Sequence, residues 1–189
     1  MGDVGSFALP LRLSRRWADL EVLNSIPDAR VNARKHRHLP ESSPYAKWLN
    51  EEVVYIITSE ERDAFYKLAT DDERKMFVQQ FWERRNPNPG SQQNKYKEEH
   101  YRRIAYANAH FATNRPGWQT DRGLIYIMFG PPDEINPRHG SMGVDEQDWK
   151  YRYIDGFGVN VIFTFIDYVG DGEYRLEPGK QPDARTFRQ

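Results

Sequence analysis

The chain contains no cysteine, which excludes disulfides, zinc–thiolate centres and thiol nucleophiles. It has no apolar run approaching the roughly 18 residues at which a stretch reads as a membrane-spanning helix. Neither sign of charge prevails: 27 Lys and Arg face 28 Asp and Glu, a formal net charge of −1. No global field therefore favours nucleic acid or an anionic membrane. The N-terminus carries only the short patch Phe7-Ala8-Leu9-Pro10-Leu11, broken by proline and followed by Arg12, Arg15 and Arg16. A secretory signal has its charges before its apolar segment, so this stretch is not read as one. Val, Ile and Leu are also few for 189 residues, and aromatic residues, 14% of the chain, must supply much of the core. Each buried aromatic removes about 150–250 Å² from water, and a chain of this length can bury about 70% of its unfolded surface. One domain with poorly ordered ends is expected.

Residues 1–43 are richer in basic than acidic side chains, ending in Arg30, Arg34, Lys35, His36, Arg37 and His38, and read as a loosely ordered arm. From residue 44 the composition becomes that of a folded domain. Residues 45–50 suggest a helical turn, and residues 53–57 a short buried segment of either strand or helix. Thr58-Ser59-Glu60-Glu61 and Thr70-Asp71-Asp72-Glu73 both have capping-box spacing and predict helices over 59–69 and 71–85. Asn86-Pro87-Asn88-Pro89-Gly90 stops the second, and Ser91 is expected to cap a long third helix over 92–112. On that helix Glu98 with Arg102, and Glu99 with Arg103, have i, i+4 spacing.

After Pro116-Gly117-Trp118-Gln119-Thr120-Asp121-Arg122-Gly123 the pattern changes. Residues 124–129 are apolar on both faces, as an interior strand would be, and residues 130–148 read as a long loop. Trp149, Tyr151 and Tyr153 alternate with Lys150, Arg152 and Ile154, and Asp155-Gly156-Phe157-Gly158 turns the chain into a strand over 159–166. Gly170-Asp171-Gly172 leads to a last strand over 173–176, and residues 177–189 read as a mobile tail.

Candidate binding residues are Trp118, Thr120, Asp121 and Arg122 at one end of the 124–129 segment, with Asp133 and Glu134 beyond the other. Each has a structural explanation too. Trp118 can close the core, Thr120 and Asp121 can fix loop backbone by local hydrogen bonds, and Arg122 can pair with a carboxylate. A six-residue strand is about 20 Å long, which separates Asp121 from Asp133 and argues against a paired-carboxylate centre. No two of His36, His38, His100, His110 and His139 stand in a metalloprotease pattern, Ser141 lacks a nucleophile elbow, and Gly156-Phe157-Gly158 precedes no helix. No catalytic residue, metal or cofactor is therefore assigned. An exposed aromatic platform of Tyr126, Tyr151, Tyr153 and Phe163 or Phe165 for single-stranded nucleic acid or sugars is disfavoured, because helices must cover one sheet face and the charge is balanced.

The run Gly117-Trp118-Gln119-Thr120-Asp121, with Arg122-Gly123 and then Gly130-Pro131-Pro132-Asp133-Glu134-Ile135, resembles the signature of the bacterial GWxTD domain family. Trp48-Leu49-Asn50-Glu51, Phe81-Trp82-Glu83-Arg84-Arg85-Asn86-Pro87 and Glu98-Glu99-His100-Tyr101-Arg102-Arg103-Ile104 are similar to its helical half, so the likeness spans about residues 45–176. Leu124 departs from the basic or polar residue expected there. The resemblance implies no established reaction and carries over no catalytic residue; it implies an extracytoplasmic or envelope-associated setting. The expectation is an α+β domain over 44–176, with about three main helices packed on one face of an antiparallel meander. Its expected function is structural or protein-interacting, with a protein partner, no membrane span, no nucleic acid and no assigned oligomeric state. The alternative is a small-ligand binder or hydrolase-like enzyme with a polar cleft near Asp121 or Asp133.

Overall fold

A computed structural model describes residue 39, residues 42–140 and residues 143–177. The expected arm over 1–43 and tail over 177–189 lie outside these, apart from Leu39, Ser42, Ser43 and Glu177. The architecture is α+β with an antiparallel sheet of four strands in the order β1-β2-β3-β4.

Both capping boxes form. Thr58 accepts from the Glu61 amide at 3.1 Å while Glu61 accepts from the Thr58 amide, starting α1, Ser59–Tyr66. Thr70 and Glu73 repeat the exchange at the start of α2, Asp71–Glu83. Glu61 also takes Arg85 at 2.7 Å, and Arg85 lies over the Phe81 ring and donates to Ile56 O at 3.0 Å. Burial works against the Glu61 carboxylate, but Arg85 and the Thr58 amide outweigh it and hold its pKa below the ordinary value. Helix α3, Lys95–Phe111, begins later than expected because Asn94, not Ser91, is its cap: Asn94 Oδ1 accepts from the Lys97 amide at 3.0 Å. Asn94 Nδ2 also donates to Trp82 O at 2.7 Å, locking the start of α3 to the end of α2. Glu99 bonds both Arg102 and Arg103 at 2.8 Å, so the expected Glu98–Arg102 pair is replaced by an i, i+3 pair.

Ahead of α1, a five-residue π-helical turn, Trp48–Glu52, closes with Val53 N donating to Trp48 O at 3.0 Å. It buries Trp48 and Leu49 against Phe65, Phe81 and Trp82. Trp48 and Phe81 meet edge to face, their centroids 5.2 Å apart at 86°, the arrangement their quadrupoles favour. A second cluster joins Ala107 and Phe111 of α3 to Ile125, Tyr126 and Ile127, and to Trp149, Tyr151, Val161, Phe163 and Phe165 of the sheet. Helix α3 thus contributes to both cores.

Two expectations are corrected. Residues 124–129 are not a strand but most of a helix, α4, Asp121–Phe129. A segment buried on every side shows neither period, so the apolar run could not discriminate. The terminal signals do: Thr120 caps the start with Asp121 in the first turn, and Gly130 ends it at φ 84° with its amide on Tyr126 O at 2.8 Å. Residues 130–148 are likewise not one loop. They contain β1, Glu134–His139, and open β2, Asp145–Ile154. Pro137 sits in β1, the outermost strand, where a missing N–H is tolerated.

Strand β2 pairs with β3, Gly158–Asp167, through the expected turn, and β3 pairs with β4, Arg175–Leu176. The alternation along β2 fails at its end. Asn160 has φ 55°, no Arg152–Asn160 pair forms between Tyr151–Val161 and Tyr153–Val159, and beyond this kink Tyr153 is 58% exposed while Ile154 is buried.

His100 lies in the interior between the π-helical turn and α2, with Nε2 2.6 Å from Glu52 O, while Tyr101 donates to Glu52 Oε2 at 2.6 Å. Burial depresses the imidazole pKa, and Arg103 and Arg85 add to the effect against the Glu52 contacts. The unfolded chain therefore binds this proton first, and stability is lost as pH falls below about 6.5. His100→Gln is expected to flatten the fall in urea midpoint between about pH 6.5 and 5. An unchanged slope in the variant would show that another group controls it.

Candidate functional site

The motif over 117–123 sits where α3, α4 and β4 converge. Residues Gly117–Gln119 form a single 3-10 turn, and Gly117 lies directly on the backbone of α3. A Cβ at Gly117 would collide with the Ala107 carbonyl, and one at Gly123 would collide with the Gly117 carbonyl. Two glycines therefore permit two successive close approaches, α3 to the turn and the turn to α4. Thr120, 2% exposed, bridges them: its hydroxyl donates to Gly117 O at 2.8 Å and accepts from the Gly123 amide at 3.1 Å.

The neighbouring residues are held in the same way. The Trp118 amide donates to Asn108 Oδ1 at 3.0 Å, and its carbonyl accepts from the Tyr55 hydroxyl at 2.7 Å. Asp121 Oδ2 accepts from the Leu176 amide at 2.8 Å, tying the first turn of α4 to β4. Arg122 lies over the rings of Phe111 and Tyr174, 5.2 and 4.4 Å from their centroids, and donates to Gly172 O at 3.1 Å. Burial lowers the Arg122 pKa, opposed by Tyr174 and Asp167, but a guanidinium remains charged. The loop that receives it is shaped by Asp167, whose carboxylate accepts from the amides of Gly170, Asp171 and Gly172 at 2.8, 3.2 and 2.9 Å. Burial raises the Asp167 pKa, but these backbone donors prevail and lower it.

Asp133 and Glu134 stand beyond the other end of α4, which at 9 residues is about 13 Å long. The structure does not bring them to Asp121. Asp133 accepts from both the amide and Nε of Arg152, each at 2.7 Å, and these bonds lower its pKa. Glu134 pairs with Lys150 at 3.4 Å. Together with Asn160 and Ile162 these residues line a surface depression of about 150 Å³, below the roughly 300–1,000 Å³ of small-molecule sites. Among the described residues no group of three His, Asp or Glu has metal-holding geometry.

The sequence placed Arg103 only beside Glu99 and gave no sign of its contact with α4. Arg103 Nη1 donates to Ile127 O at 3.3 Å and Met128 O at 3.2 Å, placing a cation on the last carbonyls of α4. A helix is needed to see that role, and a strand reading of 124–129 concealed it. Asn108 and Tyr55 were missed because their partners are backbone atoms distant in sequence.

Thr120→Ala should cost about 1–2 kcal/mol through loss of the cap. Gly117→Ala should cost more, because a methyl has no space unless α3 moves away. Urea unfolding of both variants checks this order, and a Gly117→Ala protein as stable as wild type would refute the close approach.

No curated protein and no solved structure matches the chain. A family model described as the GWxTD domain matches residues 29–183, and its signature residues are those that hold α3, α4 and β4 together. On that match, which covers most of the sequence, the chain belongs to the GWxTD domain family.

Proposed function

We propose that this domain is a structural, protein-interacting module whose signature residues maintain its shape and whose strands present the contact surface. One observation carries the reading: Thr120, Asp121 and Arg122 each hydrogen-bond a main-chain atom of the same chain. Groups committed in this way position elements of the fold.

The surface supports a protein partner. Tyr153, Val159 and Ile162 are large apolar residues left exposed on β2 and β3. Tyr153 and Val159 are direct cross-strand partners. The charges around them are matched internally, Lys150 to Glu134, Arg152 to Asp133, and Arg138 to both Glu146 and Asp148. Recognition there would rest on apolar contact, as at the centre of protein interfaces, and less on the phosphate neutralisation that nucleic acid requires. Among the described residues no helix is long and apolar enough to cross a membrane.

Two measurements test the reading. Asp121→Ala should lower stability by about 1–3 kcal/mol by removing the acceptor of a part-buried amide, with no separate loss of a chemical activity. A variant of wild-type stability that lost a catalytic turnover would overturn the proposal in favour of an enzyme. A photo-crosslinker at Tyr153 or Ile162 should give discrete protein adducts in the host, suppressed by Val159→Ser, whereas one at Gln79 on α2 should not. Equal adducts at all three positions would remove the strands as the contact surface.

A further inference from the structure

We infer that Asp155–Gly156, at the tip of the β2–β3 hairpin, is a site of spontaneous isoaspartate formation, and that the chain's other Asp-Gly pair, Asp171–Gly172, is protected by the fold. The reaction needs a main-chain nitrogen free to attack the preceding side chain. The Gly156 nitrogen bonds to Asp155 Cγ as its proton departs, and one oxygen of the protonated carboxyl leaves as water. The resulting succinimide then takes up one water. Opening at the side-chain carbonyl restores aspartate, and opening at the main-chain carbonyl gives isoaspartate, so no atoms are gained or lost overall.

The two pairs have the same local chemistry and different surroundings. Asp155 and Gly156 are both exposed, and Gly156 has φ 81°. The turn is closed by Phe157 N on Ile154 O at 3.0 Å, a bond that leaves the Gly156 amide uninvolved. Among the described residues the Asp155 carboxyl has one side-chain contact, from the Tyr153 hydroxyl at 3.2 Å. At the second pair the Gly172 amide donates to Asp167 Oδ2 at 2.9 Å, and Asp171 Oδ1 accepts from the Glu173 amide at 2.9 Å. Attack there must first give up a hydrogen bond to a charged acceptor, and roughly a tenfold slower reaction follows.

Isomerisation inserts one methylene into the main chain of the turn. The hairpin cannot then keep both the Phe157–Ile154 bond and the Tyr153–Val159 register, and the exposed apolar pair beside the tip is displaced. The modification would thus alter the strand surface irreversibly without oxidation or cleavage.

The test is to age the full chain, native and in urea, and to follow isoaspartate by methylation with an isoaspartyl methyltransferase and by peptide mapping. Native protein should accumulate it in the peptide containing Asp155 about tenfold faster than in that containing Asp171, whereas in urea the two should converge. Asp167→Asn should raise the rate at Asp171 and leave that at Asp155 unchanged, and Asp155→Glu should abolish the first signal. Equal native rates, faster reaction at Asp171, or no isoaspartate at Asp155 would each overturn the inference.

Discussion

The close seating of Gly117 on the Ala107 carbonyl sets the geometry of the joint at which α4 begins. Because no side chain intervenes, the 3-10 turn carries Thr120 to the point where one hydroxyl can both donate to Gly117 and cap α4. With α4 started there, Asp121 meets the Leu176 amide and Arg122 reaches the Gly172 carbonyl. A displaced turn would separate these partners together, and buried polar groups left unmatched cost more than the bonds contributed. The family signature is therefore best understood as one connected hydrogen-bonded joint between two helices and the last strand.

The helical half was legible where local chemistry determines local structure. Thr58 with Glu61 and Thr70 with Glu73 form capping boxes through side chains three residues apart, and such spacing can be read directly. The hairpin around Gly156 was legible for the same reason. What was not legible depended on neighbours. Residues 124–127 are buried on every side, which erases the periodicity that separates helix from strand. Pro137 concealed β1 because it is acceptable only on an outermost strand, and the strand order is a property of the whole sheet. Thr120, Asp121, Arg122 and Asp133 were named in advance, but their partners on Gly117, Leu176, Gly172 and Arg152 were not, since each of these contacts uses a backbone group without a sequence signature.

Charge is distributed in the same local manner. Glu61 serves two roles, completing a cap and receiving Arg85, so that a helix start and an interhelical contact share one carboxylate. Asp167 organises an entire loop by accepting three amides, and that loop in turn offers the carbonyl that Arg122 needs. Such arrangements are short-range, as suits a nearly neutral chain in which both signs of charge are interspersed.

The sharing of α3 between both aromatic cores bears on modularity. The stretch Asn86-Pro87-Asn88-Pro89-Gly90 has the composition of an interdomain linker, yet Trp82 on one side of it packs its ring against His100 and Tyr101 on the other, at 5.6 and 5.5 Å between centroids. The two sides are therefore not separable building blocks. Recombination or insertion that exchanged the first part alone would leave an indole without its neighbours, so this segment should be inherited and exchanged only together with α3.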